Sequence, residues 1–167
     1  MILRNRASID RTPEEVWHFI EDPLLMRSWN LTIREIVPAS LGERGEGFRY
    51  RVRYTLGRRK INFETKIMEH RKPFRFVLHL SGGDFGKRGY IQEIYELSEN
   101  RGGTLLKRNI EVYESGLNIF RRLLVIFLHR FARPAGKKYL MHLKKLAETG
   151  TSPVPLPRNG VNGNFLP

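Results

Sequence analysis

The sequence predicts an α+β fold: a seven-stranded antiparallel sheet wrapped around one long C-terminal helix, with two short helices after the first strand. Three observations predict it. Apolar residues alternate with polar ones in segment after segment up to Tyr113, the period of half-buried strands. The links between later segments are short and rich in glycine, as hairpins require and parallel crossovers do not. From Leu117 the period changes, and apolar residues return every three to four positions as on a helix. A helix that follows a whole sheet and carries a wide apolar stripe covers that sheet. A curved sheet with one helix across it encloses space.

Each element has its own signal. Ile2–Ile9 reads as a strand interrupted by arginines. Thr12 then caps a helix, Pro13 takes the first helical position, where no N–H is needed, and Glu15 completes a capping box. Val16, Trp17, Phe19 and Ile20 are its apolar face. Asp22-Pro23 repeats the cap-then-proline signal before a second short helix over 24–29. This pair is too short for a dinucleotide-binding crossover. A strand follows over 31–37, then the clearest one over 48–56. There Phe48, Tyr50, Val52, Tyr54 and Leu56 share one face, and Arg49, Arg51 and Arg53 the other. Gly57-Arg58 is a hairpin turn. The strand over 60–69 turns Ile61, Phe63, Thr65 and Ile67 inward, and the strand over 74–80 turns Phe74, Phe76, Leu78 and Leu80 inward. Gly82-Gly83-Asp84 is a turn. Strands over 88–97 and 104–113, joined through Asn100-Arg101-Gly102-Gly103, complete the sheet.

On the terminal helix, steps of ~100° from Leu117 put Leu117, Phe120, Leu124, Phe127, Leu128, Phe131, Ala135 and Leu146 on the stripe that meets the sheet. A helix of about thirty residues is ~45 Å long, and Pro134 kinks or ends it near Arg133. The opposite face carries Arg122, His129, Arg133, Lys137 and Lys144 together with Ile119, Ile126 and Leu140. That mixture fits an anionic membrane surface, a partner protein or a second copy of the chain in a homodimer, as well as contact with the short helices. Residues 150–167 hold four prolines and three glycines. One domain over 1–148 and a flexible tail over 149–167 are expected.

Composition narrows the chemistry. The 167 residues include no cysteine, which excludes disulfides, thiol nucleophiles and thiolate metal sites. His18, His70, His79, His129 and His142 have no metal-ligand spacing, and neither a phosphate-binding loop nor a nucleophile elbow is present. No metal and no cofactor are expected. The first ten residues lack the apolar core of a signal peptide, and no apolar run approaches ~20 residues, so a cytoplasmic protein is expected, peripheral to membrane if the helix face docks there. The formal net charge of +13 favours anionic partners. Arg49, Arg51 and Arg53 line the outer sheet face, and Arg58, Arg59 and Lys60 extend it. No aromatic interleaves with them, so specific nucleic-acid binding is not expected.

The order of a strand, then TPEEVWHFIEDPLLMRSW, then six strands and a terminal helix resembles the START-like (SRPBCC) superfamily of polyketide cyclases, dehydrases and lipid-transport proteins, which includes the tree-pollen allergen fold. The proline-led helix with Val16, Trp17 and Phe19, followed by Trp29, looks like that superfamily's N-terminal signature. The resemblance covers 1–148 and implies a helix-grip fold around a mostly apolar cavity. It implies binding or transport of a lipid, sterol, quinone or polyketide-like molecule, a polyketide cyclase or dehydratase activity, or an interaction module with an occluded cavity. It carries over no catalytic residue.

The candidate ligand-binding residues are the inward aromatics Tyr50, Tyr54, Phe63, Phe74, Phe76 and Tyr95, closed over by Phe120, Leu124 and Phe127. Glu93 and Arg108 join them. Each is a charge on an otherwise apolar strand face, and such a charge needs a partner or a polar ligand group. Adjacent strands would bring the two together, as an anchor for a polar headgroup or with Glu93 as an acid or base.

Overall fold

The computed structural model describes residues 2–56, 58–82, 89–113 and 136–150. The turns at Gly57 and at 83–84, the helix start near Leu117, the stripe from Leu117 to Ala135 with Phe120, Leu124 and Phe127, and the tail from 151 lie outside these residues.

The chain runs β1 (Ile2–Ile9), α1 (Pro13–Glu21), α2 (Pro23–Trp29), β2 (Ile33–Pro38), β3 (Arg49–Leu56), β4 (Arg59–Arg71), β5 (Arg75–Gly82), β6 (Tyr90–Asn100) and β7 (Gly103–Tyr113). A last helix, α3, covers 136–149. The strands form one seven-stranded sheet in the order β1-β7-β6-β5-β4-β3-β2. Every pairing is antiparallel. The register shifts at Ile33/Glu35 in β2 and at Ile67/Glu69 in β4. Such irregularities bend a strand and raise its twist, so the sheet curls and its apolar face becomes concave.

Local chemistry explains the entry to α1. Thr12 accepts from the Glu15 N–H at 3.4 Å, while the Glu15 carboxylate accepts from the Thr12 N–H at 2.8 Å. Val16, Trp17 and Ile20 are fully buried beneath the helix. Trp29 closes α2 by donating its indole N–H to the Phe19 carbonyl at 2.8 Å. Both indoles thus bury their rings and still satisfy their donors. At the β6–β7 end, Gly103 carries more than a turn. A Cβ there would lie 2.4 Å from the Ile9 carbonyl oxygen, so β1 closes onto β7 only over a bare backbone.

Leu140, Leu143, Leu146 and Ala147 of α3 enter the core with the inner sheet face. The C-terminal end of α3 is tied to the start of α1. Glu148 accepts from the Asp10 N–H at 2.7 Å, and Arg11 donates to the Glu148 carbonyl at 2.7 Å. Gly150, at φ +67°, takes the left-handed position past the last turn. Two expectations for this helix are corrected. Leu140 is 1% exposed and faces the core rather than the outside, on the same stripe as Leu143, Leu146 and Ala147, a stripe that the described turns set by their own three-to-four-residue spacing. Lys144 is not a free surface cation, because it donates to the Ser8 carbonyl at 2.5 Å and pairs with Glu148 at 2.8 Å. The outward face of the described helix instead presents Lys137, Lys138, Met141 and Lys145.

A polar lock joins α1 to the β4–β5 turn. Glu21 accepts from Trp17 Nε1 at 2.6 Å, meets His70 Nε2 at 3.2 Å and pairs with Lys72 Nζ at 3.2 Å. Burial pushes the Glu21 carboxyl up, but the Trp17 N–H, Lys72 and His70 together hold it below the usual range. A depressed native value means that Glu21 stabilises the fold above its unfolded value near 4.5, and that this contribution is lost as pH falls through the native value. The Glu21→Gln variant should therefore lose stability at pH 7 yet converge on the parent protein toward pH 3. Paired urea titrations at the two pH values check this.

Candidate functional site

The concave face is apolar except at its middle. Tyr50, Val52, Phe63, Ile67, Phe76, Leu78, Leu80, Leu97 and Leu106 are buried on it. Glu93 and Arg108 stand among them, each 4% exposed. Alternation turns both inward. Hairpin register then sets Tyr95 directly opposite Arg108, with Glu93 two residues earlier in β6, opposite Ile110.

The result is a compact polar cluster. The Arg108 guanidinium, through Nε and Nη2, and the Tyr95 hydroxyl all converge on Glu93 Oε1. Arg108 also lies over the Tyr95 ring, 5.7 Å from its centroid. Because these donors share one carboxylate oxygen, Oε2 keeps acceptor capacity with respect to the described residues.

Electrostatics fixes the protonation of the surrounding groups. Burial alone would lower the Arg108 pKa, but the Glu93 carboxylate more than reverses this and holds the guanidinium charged well above its ordinary range. Burial raises the phenols of Tyr50, Tyr54 and Tyr95, and the nearby Glu93 charge raises them further. Arg108 pulls Tyr54 and Tyr95 part of the way back. Tyr139 of α3 is raised by burial against the opposing influence of Arg108 and a Thr32 hydrogen bond. At neutral pH all four phenols therefore keep their protons, and those of Tyr50, Tyr54 and Tyr95 lie within the field of the Glu93 carboxylate. Thr65, 2% exposed and opposite Tyr50, adds a hydroxyl with no partner among the described residues.

Of the residues expected from sequence, Glu93, Tyr95 and Arg108 meet directly. Tyr54 packs edge-on against Phe63 at 5.6 Å, on the same wall. Phe76 is part of a packed aromatic core, with Trp17, His70 and Tyr95 around it at 5.8, 5.6 and 6.4 Å. Phe74 is corrected: it lies in the turn before β5 and is 55% exposed. The inward alternation read from Leu80 back to Phe74 runs one step past the start of the strand. Tyr139 was missed. Its place one residue before Leu140 and four before Leu143 on an amphipathic helix was the available signal.

Among the described residues no three His, Cys, Asp or Glu side chains gather as metal ligands, and no helix is long and apolar enough to cross a membrane.

A curled antiparallel sheet gripping a C-terminal helix, with two short helices after the first strand, defines a helix-grip protein of the START-like class. The family model for polyketide cyclase / dehydrase and lipid transport matches residues 2–148, and the chain belongs to that family. A helix-grip fold of this family typically binds a hydrophobic small molecule. No match was found among curated proteins. Solved structures share the fold at low identity. TTHA0849 from Thermus thermophilus is 15% identical with a TM-score of 0.73, over 91% of this chain and 100% of that one. DR_A0006 from Deinococcus radiodurans is 13% identical with a TM-score of 0.64, over 90% and 100%. Aha1 from Colwellia psychrerythraea, solved as a dimer, is 12% identical with a TM-score of 0.62, over 91% and 99%.

Proposed function

We propose that the protein binds a hydrophobic molecule with one polar end, held between the concave sheet face and the C-terminal helix. The observation that carries this reading is the Glu93–Arg108–Tyr95 cluster, a charged centre on an otherwise apolar wall. Burying a charge pair is expensive, and a well-packed apolar replacement is often as stable. A polar group to be recognised gives that expense a function. Glu93 Oε2 would accept from a ligand hydroxyl or amide, and the neutral phenols of Tyr54 and Tyr139 would donate to a carbonyl or ether oxygen. The partners of Glu93 are a guanidinium and a phenol, groups that hold and orient, which favours anchoring over turnover.

Native mass spectrometry of gently purified protein, followed by extraction, tests the reading directly and is expected to reveal a co-purified apolar molecule. Titration with a fluorescent fatty acid and with a polycyclic probe should show saturable binding near micromolar strength, ~8 kcal/mol. Tyr54→Phe should weaken a hydroxyl- or carbonyl-bearing probe about three- to tenfold, the worth of one hydrogen bond, and leave a hydrocarbon analogue unchanged. No extracted molecule together with no saturable probe binding would overturn the proposal.

A further inference from the structure

The convex face of the sheet carries an arrangement that the interior does not explain. His79 of β5, Tyr90 of β6 and Tyr113 of β7 stand on it as a ladder of parallel rings. Adjacent centroids are 4.5 Å apart in both steps, with planes within 19° and 17°. Strand pairing builds it, since Tyr90 lies directly opposite Tyr113 and His79 is diagonal to Tyr90. In the sequence these rings lie on three separate strands, so reading β3 alone shows arginines with no aromatic between them. Tyr113 ends the ladder and is 39% exposed.

Cations flank the ladder on both sides. Toward β3, the directly paired row Arg49, Lys66, His79 runs into it, with Arg51 in the next row. Toward β1, Arg4, Arg6 and Lys107 occupy the same convex face. Glu64 and Glu111 also lie there, and Glu111 accepts from the Tyr113 hydroxyl at 2.7 Å. Burial, and then the Lys66 charge, lower the His79 pKa, so its imidazole joins the ladder as a neutral ring.

We propose that this convex face binds single-stranded nucleic acid, with phosphates on the flanking arginines and lysines and an unstacked base on the open end of the aromatic ladder. Five strand spacings separate β3 from β1, a path of about 24 Å, which several nucleotides span. Stacking on aromatic rings between cationic flanks is the chemistry of sequence-tolerant single-strand binding. A duplex keeps its base faces covered and could use only the charges. The ladder carries polar neighbours such as Ser81 and Gln92 in its own rows, which suits an ordered polyanion better than insertion into lipid.

Fluorescence anisotropy with a labelled oligothymidylate of about 12 nucleotides tests this site. Saturable binding is expected, weakening with salt at a log–log slope of about −0.7 per phosphate neutralised. Tyr113→Leu should weaken binding at least about fivefold, while Tyr113→Phe should stay within about twofold of the parent. Combining Arg49→Gln with Arg51→Gln should make the salt slope shallower by about 0.7 per lost contact. Unchanged thermal melting of each variant separates these effects from unfolding. The proposal is overturned by an absence of saturable binding. It is equally overturned if dextran sulfate binds as tightly and Tyr113→Leu changes nothing, or if anionic vesicles bind and the oligonucleotide fails to compete. None of these outcomes bears on the interior site.

Discussion

Glu93→Gln is expected to lower the unfolding free energy by about 3–5 kcal/mol, because it leaves the Arg108 guanidinium buried without its counter-charge. Both residues are 4% exposed, and the described contacts of Glu93 come from Arg108 and Tyr95. For a chain of this length that loss corresponds to a fall in Tm of roughly 6–20 °C. Arg108→Met should cost a similar amount by stranding the carboxylate instead. Joining Arg108→Met to Glu93→Leu should recover most of the loss, since apolar groups of similar volume need no partner. Urea unfolding of the two single variants and the double variant closes the cycle and measures the coupling. A Glu93→Gln protein as stable as the parent would show that the pair is solvated rather than sealed, and would remove the physical basis for its role as an anchor.

Trp29→Ala is expected to cost about 3–5 kcal/mol. Trp29 is fully buried, its ring meets Tyr95 edge-on at 6.3 Å, and its N–H holds the Phe19 carbonyl of the preceding helix. The truncation opens a cavity and strands an acceptor together. Trp29→Phe keeps most of the ring volume and loses only the donor, so it should cost about 1–2 kcal/mol. Because Tyr95 also donates to Glu93, Trp29→Ala should further reduce affinity for a polar-headed probe. A loss below about 1 kcal/mol in the urea midpoint would mean that α2 docks loosely and is not part of the cooperative core.

Much of the fold could be read from the chain because its signals are local. The capping box at Thr12 and Glu15 forms as the spacing requires, since both of its hydrogen bonds lie within one turn. The inward faces of β3, β4, β6 and β7 follow from the two-residue period, which needs no knowledge of neighbouring strands. For the same reason Glu93 and Arg108 stood out as charges on apolar faces before any partner was known. Errors arose where a local period was carried too far. Alternation extended back to Phe74 passed the start of β5, and the helical phase counted from Leu117 misplaced Leu140.

By itself, then, the sequence determined the inward faces within the strands, though not at their ends or along the last helix, and that an antiparallel sheet covered by a helix would result. Only the tertiary structure decided who meets whom. The pairing of β6 with β7 placed both Tyr95 and Arg108 against one oxygen of Glu93. Packing of α3 brought Tyr139 within reach of the Arg108 field. Three strands, each contributing one ring, built the outer ladder of His79, Tyr90 and Tyr113. Register and bulges set such contacts, and one residue of slip would turn every one of these side chains to the other face.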